Sequence, residues 1–128
     1  VIFGVGIDIV QIARMRTALE RHGEAFAARI LAQAEWGEWQ ASRDPARLLA
    51  KRFAAKEAFG KALGIGLSPP ATLRALAVQH DGQGRPGFAY DDALAAHMKS
   101  NALHAFLSLT DEKDYAVAFA VIERRGET

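Results

Sequence analysis

From Arg47 to Gly64 the chain reads Arg-Leu-Leu-Ala-Lys-Arg-Phe-Ala-Ala-Lys-Glu-Ala-Phe-Gly-Lys-Ala-Leu-Gly, with no proline and no β-branched residue. Ala, Leu, Lys and Glu are among the strongest helix formers. Just ahead, Asp44-Pro45 is a start signal, with Asp as N-cap and Pro at the first helical position. Gly64 is a residue that ends helices by taking the left-handed conformation. One long helix, running to about Leu63, is therefore predicted at the centre of the fold. Within it Glu57 and Lys61 stand four apart, so one face presents a carboxylate beside an ammonium. Two readings are open. The ordinary one is a solvated ion pair worth about 0.2–0.5 kcal/mol. The other uses the carboxylate to hold a hard cation such as Mg²⁺ and the ammonium to bind phosphate.

Length and composition narrow the setting. At 128 residues, 50% hydrophobic and 24% charged, the chain is expected to form a single domain, 1–128, with one core. A formal net charge of +1 gives no global bias toward nucleic acid or membrane. With no cysteine, disulfides, thiolate metal sites and a cysteine nucleophile are excluded. No apolar run approaches the roughly 20 residues of a membrane span. The amino terminus shows no signal-sequence pattern, and a cytoplasmic location is expected.

Phe3 to Val10 alternates as a strand. Phe3, Val5, Ile7 and Ile9 share one face; Gly4, Gly6 and Asp8 share the other. Two glycines beside a carboxylate mean that something packs very closely there or that a ligand lies against the strand. A simpler role for Asp8 is to cap the next helix. That helix, about Val10 to His22, has an apolar stripe at Ile12, Met15 and Leu19. Its outer face carries Arg14, Arg16 and Arg21, either a solvated basic face or a surface for an acidic partner. Helical segments follow at about Glu24–Leu31 and Ala34–Ala41. Gly64 to Pro70 is a loop. Leu73–His80 and Gly87–Tyr90 form a hairpin around the turn Asp81–Pro86. Asp91–Asn101 is an amphipathic helix with Leu94 and Met98 inward. Leu103–Leu109 and Tyr115–Glu123 are strands joined by the polar turn Thr110–Asp114. Helices first and hairpin-linked strands after them argue an α+β fold, an antiparallel sheet packed against the long helix.

Asp8 and Glu57 are the acids whose settings look least like plain surface. If they converge, two carboxylates plus waters suit Mg²⁺, which shares its shell with substrate phosphates. Spacing alone does not establish convergence. The segment Gly4-Val-Gly-Ile-Asp8-Ile-Val, followed by Arg52-Phe-Ala-Ala-Lys-Glu57-Ala-Phe-Gly-Lys61-Ala-Leu-Gly64-Ile-Gly66, resembles the 4′-phosphopantetheinyl transferases. Within that superfamily it is similar to the small bacterial holo-[acyl-carrier-protein] synthases. The likeness continues through Gly84-Arg-Pro86, Ser108-Leu-Thr110, Tyr115-Ala-Val-Ala and Val121-Ile-Glu123.

This resemblance implies transfer of the 4′-phosphopantetheine arm of coenzyme A to a serine of apo acyl carrier protein, releasing adenosine 3′,5′-bisphosphate. It implies Asp8 and Glu57 as Mg²⁺ ligands and Lys61 as the cation on the pyrophosphate, with Glu57 or a metal-bound water as the base. Such transfer is largely positioning and charge neutralisation. The resemblance makes Arg14, Arg16 and Arg21 candidate contacts for the acidic carrier, and Arg52 and Lys56 candidates for the nucleotide phosphates, with a solvated basic edge of the helix the alternative for Lys56. It also lets Gly64 and Gly66 admit the nucleotide to the backbone. It further implies a homotrimer with coenzyme A bound between subunits, a role in fatty-acid synthesis and lipid metabolism, and no nucleic-acid or membrane partner. One departure stands out. Phe106 occupies the position of a histidine common in the family, and the nearest histidine, His104, lies two residues earlier on the same strand face. His104 is the candidate for that phosphate contact; the alternatives are a rim residue with no ligand and a role absent from this chain. His22, His80 and His97 show no metal-binding spacing. The rival readings are a paralogue serving a polyketide or peptide carrier, and a catalytically weak carrier- or nucleotide-binding module of the same fold.

Overall fold

The computed structural model describes residues 1–126; residues 127–128 of the expected domain 1–128 lie outside the described residues. Strand β1 (Ile2–Gln11) leads directly into α1 (Ile12–His22), then α2 (Glu24–Ile30), α3 (Trp36–Gln40) and the long α4 (Pro45–Leu63). The hairpin β2 (Leu76–His80) and β3 (Pro86–Tyr90), helix α5 (Asp92–Ser100), and strands β4 (Leu103–Asp111) and β5 (Tyr115–Arg124) complete the order. The three-stranded sheet runs β1-β5-β4 and the two-stranded sheet β2-β3, every pairing antiparallel. The α+β architecture expected above is the one observed.

Helix α4 starts and stops as its sequence dictates. The Asp44 carboxylate accepts from the Arg47 amide, Pro45 opens the helix, and Gly64 closes it at φ 91°. Against one side of α4 lies the large sheet, and the contact is made of small residues. A Cβ at Gly4 would sit 2.0 Å from the Ala62 carbonyl oxygen, and one at Gly6 would sit 2.1 Å from that of Ala58. Beside them Ala116, Ala118 and Ala120 of β5 are fully buried. The empty space beside Asp8 is thus filled by the helix backbone, not by a ligand. Of the two readings of the glycine face, close packing is the one observed. The other face of β1, bearing Phe3, Val5, Ile7 and Ile9, is exposed. On the far side of α4, Phe59 packs edge-on to Phe88 at 5.0 Å, and Leu94 and Met98 of α5 are buried as expected.

Several boundaries shift, three of them for reasons the packing shows. β1 continues to Gln11 because Gln11 pairs with Tyr115, and the Ile12 amide donates to the Asp114 carbonyl (2.9 Å), so the helix begins two residues later than Val10. Ala34–Ala41 divides into a 3-10 turn (Gln33–Glu35) and α3, because the Glu35 carboxylate turns back to the Ala32 amide. Leu73–Ala75 is a 3-10 turn ahead of β2 rather than its first residues.

Candidate active site

Asp8 and Glu57 do converge. Both line one open cavity of about 440 Å³, together with Arg14, Phe53 and Tyr115. β1 supplies Asp8 because its glycines let the strand lie against α4; α4 supplies Glu57 from the face turned toward that strand. Lys61, one turn on, donates to the Ile7 carbonyl (2.9 Å) and to Asp8 Oδ1 (3.2 Å). The pair suggested by spacing, Glu57 with Lys61, is therefore not the one formed. Lys61 is half-exposed and pairs with Asp8, leaving Glu57 without a cationic partner among the described residues. Asp8 does not cap α1, whose N-cap position Gln11 makes no side-chain cap.

The electrostatics follow. Burial pushes the Glu57 carboxyl above the usual carboxylate range, the Asp8 charge pushes it further, and Lys61 offsets part of this. Two facing carboxylates, one of them partly desolvated and unpaired, form a hard-oxygen donor set that a divalent cation would stabilise. Among the described residues no third acid or histidine joins them in a cluster. Two carboxylates are what Mg²⁺ commonly takes from a protein when waters and substrate phosphates complete its shell. The residues fit.

The remaining expected residues fall elsewhere, and two expectations are corrected. Lys56 is fully buried and donates to Ile30 O (2.7 Å), Glu35 Oε1 (2.6 Å) and Leu73 O (3.0 Å). Every ammonium donor is used inside the core, so Lys56 has none for a nucleotide phosphate. Burial lowers its proton affinity and the Glu35 carboxylate opposes that shift. Arg52 is 2% exposed, held against Glu35 and hydrogen-bonded to Glu38. Its Nε lies 3.5 Å from Glu35 Oε2 without hydrogen-bond geometry. Both cations are thus structural partners of Glu35, which also accepts from the amides of Ala32 and Val78.

Gly64 and Gly66 are exposed just beyond Lys61 with open space at their Cβ positions, and both have positive φ. Arg14, Arg16 and Arg21 are exposed on α1, but only Arg14 lines the cavity; Arg16 pairs with Asp44 at 3.4 Å. His104 is not brought to the site within one chain. It sits opposite Glu123, whereas Asp8 aligns through Ala118 with Leu109, five residues further along β4 or about 17 Å.

Sequence reasoning missed Glu35, Arg47 and Gly60. A signal existed for the first: Leu49, Arg52, Lys56, Phe59 and Leu63 share one helical stripe, and basic residues within an apolar stripe require a buried acid. Gly60 is needed because a Cβ there would come within 2.8 Å of the Gly66 backbone.

The family model of the 4′-phosphopantetheinyl transferase superfamily matches residues 4–120, and the chain belongs to that superfamily. The holo-[acyl-carrier-protein] synthase of Azoarcus sp. (strain BH72) is 65% identical over 124 residues, 97% of this chain and 99% of its own. The crystal structure of holo-[acyl-carrier-protein] synthase from Neisseria meningitidis superposes with a TM-score of 0.93 at 40% identity, covering 97% of this chain and all of the other. The Bacillus anthracis enzyme, solved in complex with CoA (3′,5′-ADP), gives 0.82 at 29% identity over 97% and 98% of the two chains.

Proposed function

We propose that this chain transfers the 4′-phosphopantetheine arm of coenzyme A to a serine of apo acyl carrier protein, yielding the holo carrier and adenosine 3′,5′-bisphosphate. The observation that carries the reading is the meeting of Asp8 and Glu57 in one cavity with Lys61 at its edge. Asp8 and Glu57 would hold Mg²⁺, which supplies charge neutralisation at the pyrophosphate when bound. Lys61 is half-exposed, so its ammonium can bind the same pyrophosphate as a point charge. The serine oxygen forms a bond to the β-phosphorus as the bond to the bridging oxygen breaks, and adenosine 3′,5′-bisphosphate leaves. Glu57, whose proton affinity burial raises, is the chain's own group for the serine proton.

Arg14, at the cavity mouth, is the leading contact for an acidic carrier on α1, with Arg16 and Arg21 beside it. Gly64 and Gly66 leave backbone free to approach the nucleotide. The exposed apolar sheet face supports a homotrimer: Ile7 and Ile9 are 60% and 63% exposed, with Phe106 and Phe119 beside them. Such a continuous apolar surface marks an association site. His104 shares that face and would reach coenzyme A only from a neighbouring copy. The whole of residues 1–128 is read as one transferase domain, because α4 packs against both sheets. Among the described residues no helix is long and apolar enough to cross a membrane. A cytoplasmic role in fatty-acid synthesis follows from the carrier reading.

Mass spectrometry of an apo acyl carrier protein incubated with coenzyme A, Mg²⁺ and this protein tests the reading. The expected product is the carrier plus one phosphopantetheine; an unmodified carrier with the protein folded would overturn it.

A further inference from the structure

Arg47 lies outside the cavity and makes more directed contacts than any residue around it. Its Nε donates to Asp44 Oδ2 (3.3 Å), and Nη1 donates to Asp111 Oδ2 (2.9 Å) and the Glu112 carbonyl (2.7 Å). Nη2 donates to the Lys113 carbonyl (3.1 Å). A single guanidinium on the first turn of α4 thereby holds the whole β4–β5 turn, and the Asp111 hydrogen bond raises its proton affinity. Lys51, one turn on, adds an ion pair to Asp111 at 3.5 Å. The carbonyl of Asp114, the next residue of that turn, accepts from the amide of Ile12, the first residue of α1. Two residues later α1 presents Arg14 to the cavity, and Tyr115, immediately after the turn, lines the same cavity. Asp111 and Glu112 also line a groove of about 330 Å³ that shares Ile9 and Tyr115 with it. The fork geometry matters. A lysine is a point charge and does not satisfy two carbonyls and two carboxylates from one position.

We infer that Arg47 is a positioning residue for the carrier-facing side of the site: it fixes the β4–β5 turn, and through Asp114 and Ile12 it fixes the start of α1, so that Arg14 and Tyr115 stand at the cavity mouth. The inference rests on the transfer reading above and deepens it. Arg47 lies outside the cavity that holds Asp8 and Glu57, so its loss acts on carrier recognition and leaves coenzyme A recognition alone.

The test is steady-state transfer by the full chain with coenzyme A, Mg²⁺ and an apo acyl carrier protein that the wild type modifies. Arg47→Ala is expected to raise the carrier KM about tenfold, the scale of losing several charge-assisted hydrogen bonds, with the coenzyme A KM within about twofold. Arg47→Lys should restore part of the loss, and Asp111→Asn, which removes the carboxylate charge that Arg47 and Lys51 share, should show the same split more weakly. Amide exchange at Ile12 and Tyr115 should accelerate in Arg47→Ala with the centre of α4 unchanged. An unchanged carrier KM, or equal effects on both substrates, overturns the inference while leaving the transferase reading intact. If Arg47→Ala does not fold, Asp111→Asn and Arg47→Lys decide by the same split. If the wild type transfers nothing, the function itself fails; exchange at Ile12 still reports the clamp, and no acceleration there overturns it too.

Discussion

Two faces of α4 carry the same kinds of residue and do opposite work. On the closed face Arg52 and Lys56 meet Glu35 in the core, and each Lys56 donor has an acceptor within 3.0 Å. On the open face Glu57 and Lys61 meet Asp8 beside a cavity, and among the described residues Glu57 has no cationic partner. Lys56 and Glu57 are adjacent in sequence, about 100° apart around the helix at 3.6 residues per turn. A charge whose partners are complete holds the fold together; a charge left incomplete beside open space is available for chemistry. The distinction between structural and functional ions is one of satisfaction, not of residue type.

Breaking the open face should have the largest effect. Glu57→Gln is expected to reduce transfer by on the order of 10³-fold, the upper range for removing one electrostatic element of a transfer site, with little change in unfolding midpoint. Mass spectrometry of the carrier together with a thermal melt separates the two. Breaking the closed face should do the reverse. Lys56→Met leaves Glu35 buried without its ammonium and is expected to cost about 3–5 kcal/mol by denaturant unfolding. Replacing Glu35 with Gln in the same chain should recover part of that loss, because no unpaired carboxylate remains. If Lys56→Met instead abolished coenzyme A binding in a stably folded protein, the two faces would not be separable.

The floor shared by the two faces can be tested next. Gly6→Ala places a methyl group against the Ala58 carbonyl and should cost about 1–3 kcal/mol through overpacking. It should also displace Asp8 from Glu57, so transfer falls together with stability. Smallest is Arg14→Glu, expected to weaken carrier affinity about tenfold and flatten its salt dependence. Measuring carrier affinity at low and high salt checks it, and unchanged affinity removes Arg14 from the docking surface.

Helix α4 was legible because its start, interior and stop all agree: Asp44 caps it, Pro45 opens it, alanines fill it and Gly64 ends it. The alternation of β1 was equally plain, yet not which face would be buried. Hydrophobicity points to Phe3, Val5, Ile7 and Ile9, but the glycine face packs, because only a side-chain-free surface admits the backbone of α4 at this distance. Asp8 and Glu57 stood out by their settings and were implied as cation ligands by the motif resemblance; the fold brings both to one cavity. Arg52 and Lys56 were misassigned because the motif marks which positions recur, not which way each points. Arg47 escaped notice since all its side-chain partners except Asp44 lie more than 60 residues away, in a turn whose identity is only polar.

By itself the sequence determined the local elements, the superfamily and the residue types available for holding a cation and a phosphate. Helix periodicity and capping are properties of neighbouring residues, so they are written in contiguous stretches of chain. The tertiary structure alone decided that Lys61 pairs with Asp8 and that Glu57 forms no ion pair among the described residues. It also decided that Lys56 vanishes into the core and that Arg47 ties a distant turn to α4. Each of these depends on which surfaces α4 buries, and burial is set by the packing of elements far apart in sequence.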